Sequence, residues 1–497
     1  MSVNGVGAIS ASMLQSILDM RQQLDTLEQQ LGTGQKSTTY SGLGLDAGLT
    51  VSLNSQLAAI NNFTTSINTV GTRIDVAQTA LDQMASFGTN VQSAVSQNSY
   101  TLNNNGQTAA QTTAVADLDS YLGLLNTQVG NRYIFSGNAS NQPSVDTMDH
   151  ILNGNGAQAG LKQVINERNQ ADLGDGLGRL QLTQPATNEV DLAEDSATSP
   201  FGFKLAGVNS SLTGATVTGP SGSPQTVSVV LGSNPNAGDT IQYQFNLPDG
   251  TSENVTLTAT TDNPPGPNQF TIGATPDDTA DNLKAALDTS VRTLAGTALS
   301  AASAVEASNN FFDNPPQRVG TSPFSSATTL VNGSAADTVM WYTGGTTAGS
   351  IRSTATAQID QSITISYGTQ ANEQGIRSVL QNIATLAATT YSSTDPNAPG
   401  AIEALDNRVN VNLGVQSGTQ SIQNIETDLA GAQSSMQSAT QRQQQTTNTL
   451  TDLLQQVSTV PQEQVGAQIL AMQTSLQASL QVTAMLSKIS LINYLPA

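Results

Sequence analysis

The chain has 497 residues, 37 of them acidic and 16 basic, for a formal net charge of −21. That length can hold several cores, and that charge repels nucleic acid and anionic membrane, so neither is expected as a partner. Cysteine is absent, which excludes disulfides, thiolate metal sites and cysteine nucleophiles, and charged residues at 11% and aromatics at 4% are sparse for a compact enzyme.

Residues 1–9 are small and polar. No basic residue precedes Arg21, and no uninterrupted apolar run follows, so no cleavable secretion signal is expected. No stretch reaches the ~18–20 apolar residues of a spanning helix. A first helix is predicted over 10–31, with Met13, Ile17, Met20, Leu24, Leu27 and Leu31 in steps of four and three. Gly32-Thr33-Gly34 ends it, because glycine takes the left-handed cap without strain. A glycine-bearing loop covers 35–48. A second helix over 49–98 repeats the period through Ile60, Phe63, Ile67, Val70, Ile74, Ala77, Leu81 and Met84. A turn at Asn103-Asn104-Asn105-Gly106 leads into a third helix over 108–129.

The pattern then changes. Arg132-Tyr133-Ile134-Phe135-Ser136-Gly137 reads as a strand. Up to about 365, Gly, Pro, Asn and Thr punctuate short alternating runs. Strands are predicted at 226–231, 240–247, 254–258 and 270–272, with Asp249-Gly250 as a tight turn. Asp277-Asp278-Thr279 caps a helix that carries Leu283, Leu287, Val291 and Leu294 on one face. A strand at 363–367 opens the return, followed by a helix over 372–391 bearing Ile376, Val379, Leu380, Ile383 and Leu386. One long helix is predicted over 401–457, with Val415, Ile422, Ile425, Leu429, Ala432, Met436, Ala439, Leu450, Leu453 and Val457 in its seam. Pro461 opens the last helix, with Val465, Ile469, Met472, Leu476 and Leu480, then Val482, Met485, Ile489 and Ile492.

Matched periods at both ends predict a fold that is mostly α at both termini. The expected form is a long helical hairpin or coiled-coil bundle with an inserted β-rich α+β region. Its segments are 1–48 with 458–497 as terminal helices, 49–137 with 356–457 as a helical rod, and 138–355 as the insertion, including a module at about 200–330. The rod seam is assigned to Ile60, Ile67, Ile74, Leu81, Ile422, Leu429, Met436, Leu450 and Leu453. Burying six apolar side chains of the first helix yields on the order of 10–15 kcal/mol, while ordering its backbone costs more than ~20 kcal/mol. Each terminal helix is therefore expected to order only against the other and against neighbouring copies.

Little in the chain points to catalysis, and no cofactor or metal is expected. His150 is the only histidine and reads as a surface or loop residue. Trp341 reads as a core or sheet residue. Gly174-Asp175-Gly176-Leu177-Gly178 lacks dinucleotide-binding spacing and reads as a turn. The carboxylates Asp277, Asp278 and Asp281 suit a helix start, and neither they nor Asp191, Glu194 and Asp195 have calcium-loop spacing.

Leu24-Asp25-Thr26-Leu27-Glu28-Gln29-Gln30-Leu31-Gly32-Thr33-Gly34-Gln35-Lys36 resembles the first-helix ending of the bacterial flagellin superfamily. Two segments are similar to that superfamily's hook–filament junction members: Gly130-Asn131-Arg132-Tyr133-Ile134-Phe135-Ser136-Gly137, and the tail from Leu486 to Leu495. The resemblance implies an axial core of paired terminal helices, a surrounding helical bundle and outward-facing variable domains. It also implies unfolded export through the flagellar type III channel. The function expected is that of a non-enzymatic structural subunit of the extracellular flagellum, the adaptor between hook and filament, with a filament flagellin as the alternative. A secreted adhesin or glycan-acting enzyme is the remote alternative. The partners implied are other copies, hook protein, the adjacent hook-associated protein, flagellin and an export chaperone. The assembly residues would be Met13, Ile17, Met20, Leu24, Leu27, Leu31, Ile469, Met472, Leu476, Leu480, Met485 and Ile489.

Overall fold

The heptad runs at both ends form helices. The computed structural model describes residues 3–97, 99–320 and 322–492, without the side chains of 3–10, 486, 487 and 489–492. The tail beyond Ile492 lies outside the described residues, as does the side chain of Ile489. In chain order, α1 (Val3–Thr33) starts before the apolar period does, and α2 (Ala47–Val95) follows a 3-10 turn at Tyr40–Asp46. α3 (Ala109–Leu125) begins at a capping box in which Thr108 and Gln111 each accept from the other's backbone N–H. The short hairpin β1 (Gln128–Val129) and β2 (Arg132–Tyr133) leads to α4 (Met148–Asn153) and α5 (Leu161–Leu173).

Two four-stranded sheets come next. They are built from β3 (Leu180–Thr183), β4 (Glu189–Glu194), β5 (Lys204–Ser210), β6 (Ala215–Ser221), β7 (Thr226–Leu231), β8 (Thr240–Asn246), β9 (Ser252–Thr260) and β10 (Gln269–Thr271). One sheet has the order β3-β4-β7-β6 and is antiparallel; the other has the order β10-β9-β8-β5, with only β10 parallel to its neighbour. The predicted Asp249-Gly250 turn joins β8 to β9, and Gly250 takes a φ of 81°. α6 (Pro276–Leu294) follows. Its N-cap is Thr275, two residues ahead of the Asp277 at which the sequence placed the cap. Thr275 shares a capping box with Asp278, and Pro276 supplies a preset φ. Its apolar face, Leu283, Leu287 and Val291, joins Leu205, Phe245 and Phe270 of one sheet and Leu192, Val227 and Val229 of the other in one core. That core already includes Leu177, so the module starts before residue 200.

A π turn at Ala295–Leu299 runs α6 into α7 (Ser300–Phe311), a helix with no sequence forecast. Its buried side chains are mostly small, alanine and serine, so it lacks an amphipathic stripe of large apolar residues to read. It packs on α5 and, later in the chain, on α8 and α9. β11 (Gln317–Val319) pairs with β12 (Leu330–Asn332), and β13 (Thr356–Asp360) with β14 (Ile363–Ser366). The last helices are α8 (Gln374–Ala388), α9 (Ala398–Leu413), α10 (Ile422–Ser458) and α11 (Gln462–Ile492). The single helix predicted over 401–457 is thus two. The break at 414–421 contains Gly414 and Gly418, the latter at a φ of 82°, and Val415 is fully exposed there rather than in a seam.

The chain divides into two compact units: Met1–Gly71 with Ala357–Ile365 and Gln433–Ala497, and Thr72–Thr356 with Ser366–Ala432. α2 and α10 contribute to both. The architecture is long helices at both ends of the chain with a β-rich α+β region inserted between them.

Candidate assembly surface

Within the terminal unit, α1 and α11 pack against each other. Ile17 of α1 and Val465 and Ile469 of α11 are buried. Met13, Met20, Leu24, Leu27, Met472 and Leu476 are half-buried, whereas Leu31, Leu480 and Met485 are exposed, Met485 by 63%. A backbone clip holds the far end of α1. The Lys36 N–H donates to the Ser458 carbonyl at 2.7 Å, and the Val460 N–H donates to Gly34 at 3.1 Å. Gly34 makes the clip possible with a φ of 67°. Beside the pair lies an open groove of about 720 Å³, bounded by Asp19, Thr26, Leu27 and Met472 among others.

Of the fifteen large apolar side chains that stand exposed among the described residues, twelve belong to this unit, including Leu14, Leu18, Leu45, Leu49, Val51 and Leu470. Only Val331, Val411 and Val415 belong to the other. The exposed apolar side chains are thus concentrated on one of the two units.

In the seam, Ile67, Ile74, Leu81, Ile422, Leu429, Met436 and Leu450 are buried and Ile60 is half-buried. Leu453 is 41% exposed, which corrects its seam assignment. From Leu450 the stripe continues through the half-buried Leu454 and Val457, so the residue three on from Leu450 falls beside it. Between Ala439 and Leu450 the stripe passes through buried Gln443, which a purely apolar search skips. Gln443 Nε2 donates to the Ile359 carbonyl at 2.6 Å, and its Oε1 lies 3.2 Å from Thr64 Oγ1, so the amide is buried without loss of its hydrogen bonds. Also missed was Glu426 on α10, whose carboxyl is raised by burial and by the neighbouring Asp82.

Of the strand predicted over 132–137 only Arg132–Tyr133 pairs as a strand; Ile134 and Phe135 turn, and Ser136 makes an isolated bridge to Gln370. Phe135 is fully buried, its carbonyl accepts from Ala371 N–H at 2.9 Å, and Thr369 Oγ1 donates to the Ile134 carbonyl at 2.7 Å. Gly137 sits at a φ of 59°, and a Cβ there would meet Gln370 Nε2 at 2.6 Å, so only glycine fits. Where α8 starts, burial pushes the Glu373 carboxyl up although Arg352 pairs with it.

The remaining singled-out residues have structural partners. His150 Nδ1 lies 2.9 Å from Asp146 Oδ1, and Trp341 is buried with its indole N–H on the Phe312 carbonyl at 3.1 Å. Residues 174–178 form a turn with three positive-φ glycines, and Asp195 pairs with Arg179 at 2.6 Å. Among the described residues no group of three or more His, Asp or Glu side chains could hold a metal ion, and no helix is long and apolar enough to cross a membrane.

The two chain ends thus carry paired long helices and most of the exposed apolar side chains among the described residues. The family model of the bacterial flagellin N-terminal helical region matches residues 7–140, which run from α1 past the β1–β2 hairpin. The match supports the bacterial flagellin superfamily and, with it, a flagellar structural subunit. No curated protein matches the chain.

Proposed function

We propose that this chain is an axial subunit of the bacterial flagellum and that it serves as the adaptor joining hook to filament. The observation that carries the reading is the concentration of exposed apolar side chains on the unit formed by the two chain ends. Docked on neighbouring copies, that surface is buried, and head-to-tail repetition of such a contact extends a helical array. The proposed partners are other copies, hook protein, the adjacent hook-associated protein and flagellin. An export chaperone would cover the terminal helices before unfolded passage through the type III channel to the cell exterior. In this scheme 1–48 with 458–497 are the assembly segments, 49–137 with 356–457 the supporting rod, and 138–355 the variable region. The role is structural, without catalysis.

The similarity of 130–137 to junction members favours the adaptor. The long region between the helical ends favours the second reading, a filament-forming flagellin. Imaging flagella of a deletion strain separates them. Hooks without filaments support the adaptor, filaments of altered composition support the flagellin, and unchanged flagella overturn both.

A further inference from the structure

The second unit contains a cavity of about 310 Å³ bounded by α2, the β1–β2 hairpin and the backbone flanking β13 and β14. Two arginines line it, Arg73 and Arg132, together with Tyr133, Tyr367, Thr354 and Thr356. Among the described residues no acidic one does. That is unusual in a chain with 37 carboxylates, where eight of the eleven arginines are ion-paired to Asp or Glu. Among the described residues, Arg21, Arg73 and Arg132 have no such pair, and two of them meet here.

Arg73 is only partly satisfied. Its Nη1 donates to the Tyr367 hydroxyl at 3.1 Å, while its Nε is buried without a hydrogen-bond partner. A buried guanidinium N–H left unpaired is costly, and an acceptor supplied from outside removes that cost. The Tyr367 hydroxyl, accepting from Arg73, keeps its own proton for a further acceptor. The cavity therefore offers donors and positive charge, and what complements it is a small planar oxyanion, which a guanidinium fork holds in two-point fashion.

We propose that this cavity takes the carboxylate of an Asp or Glu side chain from a second copy of the chain in the assembled array. The proposal rests on the axial role proposed above. Copies carrying a net charge of −21 repel one another, and every copy presents exposed carboxylates. A contact that seats one of them on the unpaired arginines offsets part of that repulsion and sets the register between copies.

The test uses the full-length chain added to isolated hooks and to sheared filaments, with incorporated protein measured by sedimentation. Arg132→Gln and Arg73→Gln are expected to raise the concentration needed for incorporation about ten-fold at low salt, and Arg132→Lys less. The thermal melt of the Arg132→Gln monomer should match wild type, because Arg132 is exposed. Acetate should inhibit wild-type incorporation more than chloride at equal ionic strength. The native chain has no cysteine, so Arg132→Cys accepts a single thiol-directed diazirine cross-linker. In arrays of mixed isotopically light and heavy chains, its adducts should fall on an acidic peptide of the other copy. Incorporation of both glutamine variants at the wild-type concentration overturns the proposal, as do adducts confined to the same copy. So does acetate binding to the monomer without any effect on incorporation, which would make the cavity a site for free anions. If wild type itself is not incorporated on either seed, the axial role fails, and the carboxylate contact with it.

Discussion

Asp406 on α9 is almost fully enclosed, and burial pushes its carboxyl up to about 7. Its folded pKa thus exceeds its unfolded value, so the charge it acquires is tolerated better by the unfolded chain. Its contribution to stability is intact at acid pH, is lost progressively as pH rises from about 4 to about 7, and is then constant. Asp406→Asn is expected to leave urea unfolding unchanged at pH 4 and to stabilise by ~1–3 kcal/mol at pH 8; equal effects at both pH values would show the carboxyl to be ordinary. Nearby, Arg408 Nε lies 2.7 Å from Asp249 Oδ2, with both side chains nearly enclosed. Arg408→Ala strands that carboxylate at the tip of the β8–β9 hairpin and is expected to cost ~2–4 kcal/mol. Arg408→Met with Asp249→Asn should recover much of the loss, since no buried charge remains; denaturant melts of the three variants check this.

Among the helices, the seam separates two leucine-like positions that look alike in sequence. Ile74→Ala should destabilise by ~2–4 kcal/mol, because the side chain is fully buried and its loss opens a cavity. Leu453→Ala should change stability by less than ~0.5 kcal/mol, because the site is exposed. Equal melting shifts for the two would move the seam. The inserted module is joined to the helical packing around it. The two sheets and α6 share one core, but α6 continues through the π turn into α7, and α7 is buried against α5, α8 and α9. Removing 200–330 therefore removes part of the helical packing as well. An in-frame deletion of that span is expected to give a chain with a lowered melting temperature in a thermal scan.

At the scale of the whole molecule, stability and assembly reside on different residues. Leu480 is exposed and Leu476 half-buried in the single chain, so placing Asp at both should leave the monomer melt near wild type. In the proposed array those carboxylates would be buried without partners, at several kcal/mol per copy, and incorporation onto hooks or filaments should fail. Normal incorporation would put this stripe on the array surface, and a strongly lowered melt would make it part of the monomer core. Limited proteolysis supplies an independent check. Residues 1–45 and 460–497 should be cut faster than 50–455 in monomer and be protected in the array.

How much of this was legible in the chain depends on how local the cause is. The periods of α1, α2 and α11 and the Asp249-Gly250 turn follow from neighbours within about one or two helical turns, so the sequence alone determined them. It also determined the division into helical ends and a β-rich middle, because a change of hydrophobic period is a local signal. Other features depend on partners distant in the chain. Gln443 belongs to the seam because the Ile359 carbonyl meets its amide. α7 is a core helix because three other helices surround its alanines. Arg73, Arg132 and Tyr367 line one cavity although two loops and most of the inserted region separate them in sequence. Only the tertiary structure decides such placements, since burial and unsatisfied donors are properties of what the chain brings together rather than of any segment by itself.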